Sequence, residues 1–346
     1  MSPRINSATV IPAGNKVSFL SLFFVILLMA LPAVTQAATP WYSHGKSHTL
    51  TLTQDGAVWA LGDNSYGQLG IGTYGGNAGE PVMVKGFDGV IALLAGTNHS
   101  VALKKDGTVW TWGSNGSGQL GNGTTQHSSA PHIVAGLSNV KAIATGSGHV
   151  VALKHDGTVW AWGANSSGQL GGGEYLKCLV PTQVSALRDV TAITAGAFNT
   201  SALKKDGTVW SWGFNGKGQL GNGSTERSIT PVQVSGLDNV DAIAAGDWHV
   251  VALKHDGSVW SWGSNRDSQL GNTKMASSSS PVKIEGLGNV IDVTASVGHT
   301  IAIAKNDTVW AWGDAGTGQW GNGANLEGSI PRFKWPVTMA RLRLQQ

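Results

Sequence analysis

Residues 146–171 read Gly146-Ser-Gly-His-Val-Val-Ala-Leu-Lys-His-Asp-Gly-Thr-Val-Trp-Ala-Trp-Gly-Ala-Asn-Ser-Ser-Gly-Gln-Leu-Gly171. Similar stretches recur every 50 residues, with a single step of 51, around Trp59, Trp110, Trp160, Trp210, Trp260 and Trp310. Self-similarity at a fixed period of this length indicates a solenoid, a propeller or an array. The chain therefore contains six copies of one structural unit.

The local pattern within each unit favours β-strands. Val150–Leu153 and Thr158–Trp162 are short apolar runs rich in β-branched and aromatic residues. Asp156-Gly157 separates them, a pair typical of a type I′ hairpin turn. The sixth unit has Asn306-Asp307 instead, and both residue types tolerate the left-handed conformation. Each unit is thus predicted to contain a β-hairpin.

A second pair of strands follows each hairpin. Pro131–Val134 and Val140–Ala144 illustrate it. A proline at the start of a strand favours an edge position, where no backbone donor is needed. Four strands per unit, separated by turn residues, predict the blade of a β-propeller. The fold class is therefore all-β, with six four-stranded blades and seven as the less favoured count.

The two ends of the repeat region suggest how the ring closes. The region begins with the hairpin His48–Leu52 and Ala57–Leu61, and it ends with Pro331–Lys334 and Val337–Leu344. We expect the C-terminal pair to join the N-terminal hairpin in one composite blade, beside five continuous blades. Pairing of N- and C-terminal strands would then close a single domain spanning residues 41–344, with only short, protected strand edges.

The first 37 residues have the features of a signal peptide. Arg4 and Lys16 precede the apolar run Val17–Leu31, and small residues lead to a cleavage site after Ala37. The alternative is an uncleaved membrane anchor, although the run is short for a span of about 20 residues. Both interpretations predict export, to the periplasm or the medium, with membrane contact only through an uncleaved anchor.

Composition excludes several classes of function. The 346 residues include 49 Gly and 15 Trp but only 12% charged residues, with a net charge of +3. Typical soluble domains carry about 25% charged residues. The repeats contain no basic run, so nucleic acid is not an expected partner. Cys178 is the single cysteine and is predicted to be a solitary thiol in a loop, without a disulfide.

No cofactor, metal or catalytic site is predicted. One repeat position holds His48, His99, His149, His249 and His299, with Asn199 in the fourth unit. Copies of one position are spread around a propeller axis and need not meet at metal-ligand distances of about 2 Å. We expect each histidine to bond a neighbouring turn instead. No known nucleophile, zinc or phosphate-loop motif is present, so the protein is predicted not to be an enzyme.

The consensus Gly-x-x-His-Ser-x-Ala-Leu, followed by Asp-Gly-x-Val-Trp-x-Trp-Gly-x-Asn-x-x-Gly-Gln-Leu-Gly, resembles the RCC1 (regulator of chromosome condensation) repeat. The resemblance covers the chain after residue 41. It implies a β-propeller, a fold best known in this family with seven blades. Relatives exchange nucleotide on the small GTPase Ran, sense ultraviolet light through tryptophans, or inhibit β-lactamases with loops on one face. The resemblance therefore implies the fold and leaves the function open.

The paired tryptophans are expected to form the core. Pairs such as Trp160 and Trp162 lie two residues apart and share one strand face. Burial between blades is favoured over the photoreceptor alternative, because large aromatic residues bury the most area and the chain is poor in charge.

One loop differs in sequence in every unit, as in residues 71–80 and 172–180. Variable loops on a rigid scaffold are a common binding design, and aromatic residues and arginine dominate binding hot spots. The candidate partner-binding residues are Tyr74, Tyr175, Phe214, Arg227, Trp248 and Met275. Neutral variation of solvated loops is the alternative.

Three functional hypotheses follow. The first is an exported module that binds a protein, or a glycan, through loops on one face. The second, implied by the resemblance, is guanine nucleotide exchange on a small GTPase. The third is a structural protein of the cell envelope.

Overall fold

The computed structural model describes residues 41–53, 55–173, 176–272, 275–314 and 329–334. These residues form 24 β-strands and no helix, so no apolar helix long enough to cross a membrane occurs among them. The strands are β1 (Trp41–His44), β2 (His48–Leu52), β3 (Val58–Asp63), β4 (Asn77–Met83), β5 (Val90–Ala95), β6 (His99–Lys104), β7 (Val109–Gly113), β8 (Ser128–Ile133), β9 (Val140–Thr145), β10 (His149–Lys154), β11 (Val159–Ala164), β12 (Lys177–Gln183), β13 (Val190–Ala195), β14 (Asn199–Lys204), β15 (Val209–Gly213), β16 (Ser228–Gln233), β17 (Val240–Ala245), β18 (His249–Lys254), β19 (Val259–Ser264), β20 (Ser277–Lys283), β21 (Val290–Ala295), β22 (His299–Ala304), β23 (Val309–Asp314) and β24 (Ser329–Lys334).

Each group of four consecutive strands forms one antiparallel sheet, so the described chain has six four-stranded sheets. We number them blade 1 (β1–β4) to blade 6 (β21–β24). The first strands of successive blades pack beside one another, from β1 against β5 to β17 against β21. The predicted all-β architecture of six four-stranded blades is confirmed.

The prediction of a composite blade is wrong. β24 (Ser329–Lys334) pairs with β23 in blade 6, and β1 (Trp41–His44) pairs with β2 and completes blade 1. All six blades are therefore continuous. Strand β1 was not predicted from the sequence, because it has only four residues and precedes the first recognisable repeat. Val337–Leu344 lies outside the described residues, as does the segment 1–37, so ring closure and the signal peptide remain predictions.

The outer faces of the end blades differ from the interfaces between blades. In β22, His299, Ile301 and Ile303 are partly exposed, whereas the equivalent residues of β10 are fully buried. On blade 1, Thr49 and Leu61 are also partly exposed. An interior blade has a neighbouring blade on each side, which explains why the equivalent residues of β10 are fully buried.

The border between blades falls inside the predicted second strand pair. The Pro131 strand, β8, pairs with β7, whereas the Val140 strand, β9, pairs with β10 of the next blade. The connection 134–139 therefore links two blades. β8 is an edge strand, as predicted, but Pro131 lies within it and not at its start. It sits near the register shift between Thr111 and Gly113, where a missing backbone donor is tolerated.

The hairpin turns are also of a different type from the one predicted. Gly157 N donates to Lys154 O at 3.0 Å, and Lys154 N donates to Thr158 O at 3.0 Å. Gly157 has φ 78°, whereas Asp156 is not among the residues with positive φ. A type I′ turn needs two such residues, so this is a type I turn followed by a bulge. Asp156 Oδ1 instead accepts a hydrogen bond from Thr158 N at 2.9 Å.

The second tryptophan of each pair fills the interface with the preceding blade. Trp112, Trp162, Trp212, Trp262 and Trp312 are fully buried. Trp162 Nε1 donates to Gln119 O of the preceding blade at 3.0 Å. The first tryptophan, Trp160, is partly exposed and lies under the ammonium group of Lys154, 5.5 Å from its ring centroid. The predicted core role is confirmed for the second tryptophan of each pair, whereas the first, such as Trp160, is only partly buried against the core.

The repeated histidines form bridges between blades. The prediction that each of them bonds a neighbouring turn is wrong. In four of the five, Nε2 bonds a hydroxyl of the next blade at 2.8–3.1 Å, in the pairs His48–Ser100, His99–Thr145, His149–Thr200 and His249–Thr300. The ring of His149 lies against the backbone of Gly146, where a Cβ would collide with it. The described residues contain no cluster of metal-ligating groups.

The interface between blades 4 and 5 lacks this bridge. Asn199 occupies the histidine position and Val250 the hydroxyl position. Asn199 is buried, and its side-chain Nδ2 and Oδ1 have no hydrogen-bond partner in the described part of the chain. Instead, Ala245 N donates to Thr194 Oγ1 at 3.0 Å across this interface.

Acid should destabilise the protein through its buried histidines. Burial lowers the pKa of His48 and His149 to about 4, and that of His99 and His249 to about 3. The unfolded chain, with histidine pKa near 6.5, binds protons first as pH falls, so stability declines from about pH 6.5 toward pH 4. We expect a loss of roughly 1 kcal/mol per histidine between about pH 7.5 and 5.5 in urea unfolding.

The control is His149→Asn, which introduces the residue naturally present at position 199. This variant should be less stable than the wild type at neutral pH but should lose less stability on acidification. An unchanged dependence on pH would contradict the assignment of the effect to these bridges.

A bridge should be restorable between blades 4 and 5. We expect Asn199→His and Val250→Thr together to be more stable than the sum of the two single effects, with a coupling energy of about 1 kcal/mol in urea unfolding. Additive single effects would show that this interface cannot accept the bridge.

Candidate functional site

The long loops that the structure describes lie at one end of the blades. Ser114 N, after the third strand of blade 2, donates to Asn98 O, before its second strand, at 2.8 Å. The turn at 96–98 and the loop at 114–127 are therefore neighbours, and the hairpin turns lie at the opposite end of each sheet. We call these two ends of the molecule the loop face and the hairpin face.

The turns between first and second strands form the inner part of the loop face, because first strands are the ones that meet between blades. One residue of each turn occupies an equivalent position, and we call this set the inner ring: Lys46, Thr97, Ser147, Ala197, Asp247 and Val297. Ser147 N donates to Ala197 O at 3.1 Å, and Ala197 N donates to Asp247 O at 3.0 Å. These bonds tie neighbouring turns together.

A buried asparagine organises each described long loop. In blade 2, Asn115 Oδ1 accepts a hydrogen bond from Leu120 N at 2.9 Å. Its Nδ2 donates to Thr124 O at 3.0 Å and to Gln126 O at 2.9 Å. Asn215 makes the same contacts in blade 4. The loops are therefore held in shape from below by a side chain that does not reach the surface.

We call the variable loops between third and fourth strands the outer rim. Tyr74 lies here, 55% exposed, and its hydroxyl donates to His127 O of the neighbouring blade at 2.9 Å. The His127 ring packs edge-on against Tyr66, with centroids 5.1 Å apart. Tyr74 is thus an exposed aromatic residue held by the adjacent loop.

Arg227 is a second rim residue with a contact to the neighbouring blade. Its Nη1 donates to Ser166 O at 3.0 Å. Lys177, at the equivalent position in blade 3, reaches Gly116 O at 3.5 Å. In blades 3 and 4 this repeat position therefore joins the loop to the preceding blade, and Arg227 is partly engaged by this contact.

The remaining rim candidates have different settings. Met275 is 39% exposed and accepts a hydrogen bond at its carbonyl from Asn265 Nδ2 at 2.7 Å. Tyr175 lies outside the described residues. Its neighbour Leu176 is 77% exposed and was missed by the sequence analysis. Cys178 lies on strand β12 and not in a loop, packed partly against the core as a free thiol.

The structure brings two candidates, Phe214 and Trp248, into one aromatic cluster on the loop face. Trp248 of blade 5 lies between two phenylalanines of blade 4, with ring centroids 5.5 Å from Phe198 and 5.7 Å from Phe214. All three are partly exposed. Gly216 allows Phe214 to fold back, since a Cβ there would lie 2.6 Å from the phenyl Cζ. The cluster spans the interface that lacks a histidine bridge.

Asp247 of the inner ring directly precedes Trp248. Burial raises the pKa of its carboxyl above the ordinary value. Its side chain has no hydrogen bond or ion pair to any described residue, and only its carbonyl is bonded, to Ala197 N. The carboxylate is therefore a partly buried acceptor available to a ligand.

Phe198 and Asp247 were missed by the sequence analysis, although a signal was present. The position before the repeated histidine, or before Asn199 in blade 4, is Ser47, Asn98, Gly148, Phe198, Trp248 and Gly298 in the six blades. Only two adjacent blades have aromatic residues there. A comparison of the copies position by position would have paired Phe198 with Trp248.

The loop face thus offers exposed aromatic and apolar groups, backbone positions fixed by hydrogen bonds and, at Asp247, an unpaired and partly buried carboxylate. Such groups suit recognition of another macromolecule, since aromatic side chains provide large contact areas at low entropy cost.

Comparisons with known proteins agree with this architecture. The family model described as the RCC1-like domain matches residues 29–343. Prp20p from Saccharomyces cerevisiae, whose structure was described with its binding to Gsp1p and histones, is 28% identical, with a TM-score of 0.74 over 84% of this chain and 75% of that chain. Human WBSCR16 is 28% identical, with a TM-score of 0.69 over 75% of this chain and 70% of that chain.

Curated relatives match over shorter stretches. The mouse E3 ubiquitin-protein ligase HERC2 is 40% identical over 88 residues, which are 25% of this chain and 2% of that protein. The zebrafish RCC2 homolog is 39% identical over 79 residues, 22% of this chain and 16% of that protein. The matched part is thus a small share of these relatives. The match of the family model along nearly the whole chain, together with the six blades, shows that this protein belongs to the RCC1-like domain family.

Proposed function

We propose that this protein is an exported binding module that recognises a partner protein through its loop face. The observation that carries the proposal is the rim itself, where Tyr74 is exposed and yet held by His127 of the adjacent loop. Side chains fixed before binding lose less entropy when a partner arrives. Export is supported by the signal-like segment 1–37, and a glycan ligand is the alternative occupant.

Exposed apolar groups on the rim support the choice of face. Tyr74, Leu176 and Met275 lie on variable loops of three different blades and are all exposed. Aromatic and apolar side chains at such positions are typical of protein-binding surfaces. Their variation among equivalent positions is what partner selection requires, because a uniform rim would present the same chemistry at every blade.

Substitutions on the rim should abolish partner capture. We expect the double variant Tyr74→Ala, Met275→Ala to weaken saturable binding to a protein captured from extracellular and envelope fractions at least tenfold, because hot-spot residues contribute about 1.4 kcal/mol or more each. Binding of the identified partner is measured by titration with the full exported chain.

The matched control is Ile91→Ala. Ile91 is 50% exposed but lies at the start of β5, close to the hairpin face. This variant should bind as the wild type does. Equal binding by all three proteins, or repeated failure to capture any saturable partner, would contradict the proposal.

The second candidate is nucleotide exchange on a small GTPase. It is favoured by the structural similarity to Prp20p, a protein described as binding Gsp1p. However, the connections between blades are short, as at 134–139, and leave no room for a long inserted segment among the described blades.

We expect no acceleration of nucleotide release from Ran loaded with a fluorescent guanine nucleotide, within about twofold of the intrinsic rate, since the proposed function requires binding alone. Prp20p serves as the positive control with Gsp1p. A large acceleration by this protein would make exchange the better assignment.

A further inference from the structure

We propose that Asp247, together with Phe198 and Trp248, forms a site for a positively charged side chain, a lysine or arginine, of the partner protein. We call it the cation site. The inference rests on the proposed function and adds the chemistry of the partner. It concerns the inner part of the loop face between blades 4 and 5, where Trp248 also contacts Phe214 of the outer rim.

The position of Asp247 is the first argument. Among the six inner-ring residues it is the one acid, beside Ala197 and Val297 on the neighbouring turns. Val297 is 62% exposed, so this part of the ring presents apolar surface to solvent. Lys46, the one base of the ring, belongs to blade 1 and not to a blade next to blade 5. The ring itself therefore supplies no neighbouring counter-charge.

The missing partner is the second argument. The carboxylate makes no hydrogen bond or ion pair with any described residue, although it is partly buried. A carboxylate removed from water without a partner is unfavourable, and its raised pKa is the expected sign of that cost. A cation that binds to the carboxylate offsets this cost. Because the carboxylate is already partly desolvated in the free protein, binding does not add that cost again.

The aromatic neighbours are the third argument. The rings of Phe198 and Trp248 are inclined at 44° and partly exposed. Aromatic rings attract cations through their negative faces and pack against the aliphatic stems of lysine and arginine. The same chain places a lysine ammonium 5.0–5.8 Å from the tryptophan ring in four blades, for example Lys254 over Trp260. Trp248 directly follows Asp247, so one turn of the loop face carries both an aromatic ring and an unpaired carboxylate, the groups that bind a guanidinium or ammonium group.

A structural role for the cluster makes a different prediction. The aromatic residues span the interface that lacks a histidine bridge, so they also hold blades 4 and 5 together. A purely structural role requires the rings but not the charge of Asp247. The charge of this residue therefore separates recognition from packing.

The test uses a short arginine-rich peptide as the probe, with a glutamate-rich peptide of equal length for comparison. We expect the full-length protein to bind the arginine peptide and not the glutamate peptide, and Asp247→Asn to weaken binding at least tenfold. Raised salt should weaken binding further, because partly exposed charges are screened. Thermal unfolding of Asp247→Asn should remain close to that of the wild type.

Asp88→Asn is the matched control. It makes the same change of charge at a carboxylate that is 99% exposed near the hairpin face. This variant should bind the arginine peptide as the wild type does. Equal weakening by both variants would show a general effect of net charge and overturn the cation site, as would unchanged binding by Asp247→Asn.

Trp248→Leu tests the aromatic part. This substitution keeps an apolar side chain but removes the ring, and affinity for the arginine peptide should fall severalfold. Wild-type affinity in a folded Trp248→Leu variant would exclude the ring from the site.

The outcomes separate this inference from the proposed function. A captured partner that binds the wild type and Asp247→Asn equally would overturn the cation site and leave the binding function intact. Loss of peptide binding in Asp247→Asn, without any protein captured by the rim, would support the cation site and contradict the proposed function.

Discussion

The contact between neighbouring blades is the interaction on which the rest of this structure depends. A four-stranded sheet has two faces, and an interior blade buries both only when another sheet covers each side. The chain fills these contacts with a buried tryptophan such as Trp162, whose ring nitrogen bonds the backbone of Gln119. The His149–Thr200 bridge fixes the same neighbours at a second point. Buried polar groups that bond across an otherwise apolar interface specify one arrangement, because any shift leaves them unpaired.

This constraint explains how one surface arises from separate blades. Because the same two contacts recur, successive sheets adopt equivalent orientations, and their loops emerge at one end. A buried asparagine in each loop, such as Asn115, then holds the backbone. The surface side chains can differ between blades without disturbing the layer beneath. Variation is thus confined to positions where it changes recognition more than folding.

The interface between blades 4 and 5 departs from this rule and also carries the candidate cation site. Asn199 and Val250 replace the bridging pair, and Phe198, Phe214 and Trp248 meet above them. At this interface, aromatic contacts near the surface join the two blades where a buried polar bridge joins the others. Partly exposed rings contribute to both stability and recognition, whereas a buried histidine contributes to stability alone.

The sequence by itself determined the repeat, the strands other than β1, the six blades and the contribution of the tryptophan pairs to the core. These features follow from local patterns, since strand propensity, alternation and turn residues act within a few positions of one another. The type of the hairpin turn was nevertheless predicted wrongly, because Asp156 and Gly157 suit both a type I′ turn and a type I turn with a bulge. The short strand β1 was not predicted, because it precedes the first complete copy of the pattern.

The tertiary structure alone decided which residues meet across blades. His149 is predicted to bond a neighbouring turn, but its partner Thr200 lies 51 residues away on a strand of the next blade. Phe198, Phe214 and Trp248 came together in the same way, from two blades that the repeat pattern treats as identical. The pattern is periodic along the chain, so it states what each unit contains. Contacts between units depend on how rigid sheets pack face to face, and this information does not exist within any single copy.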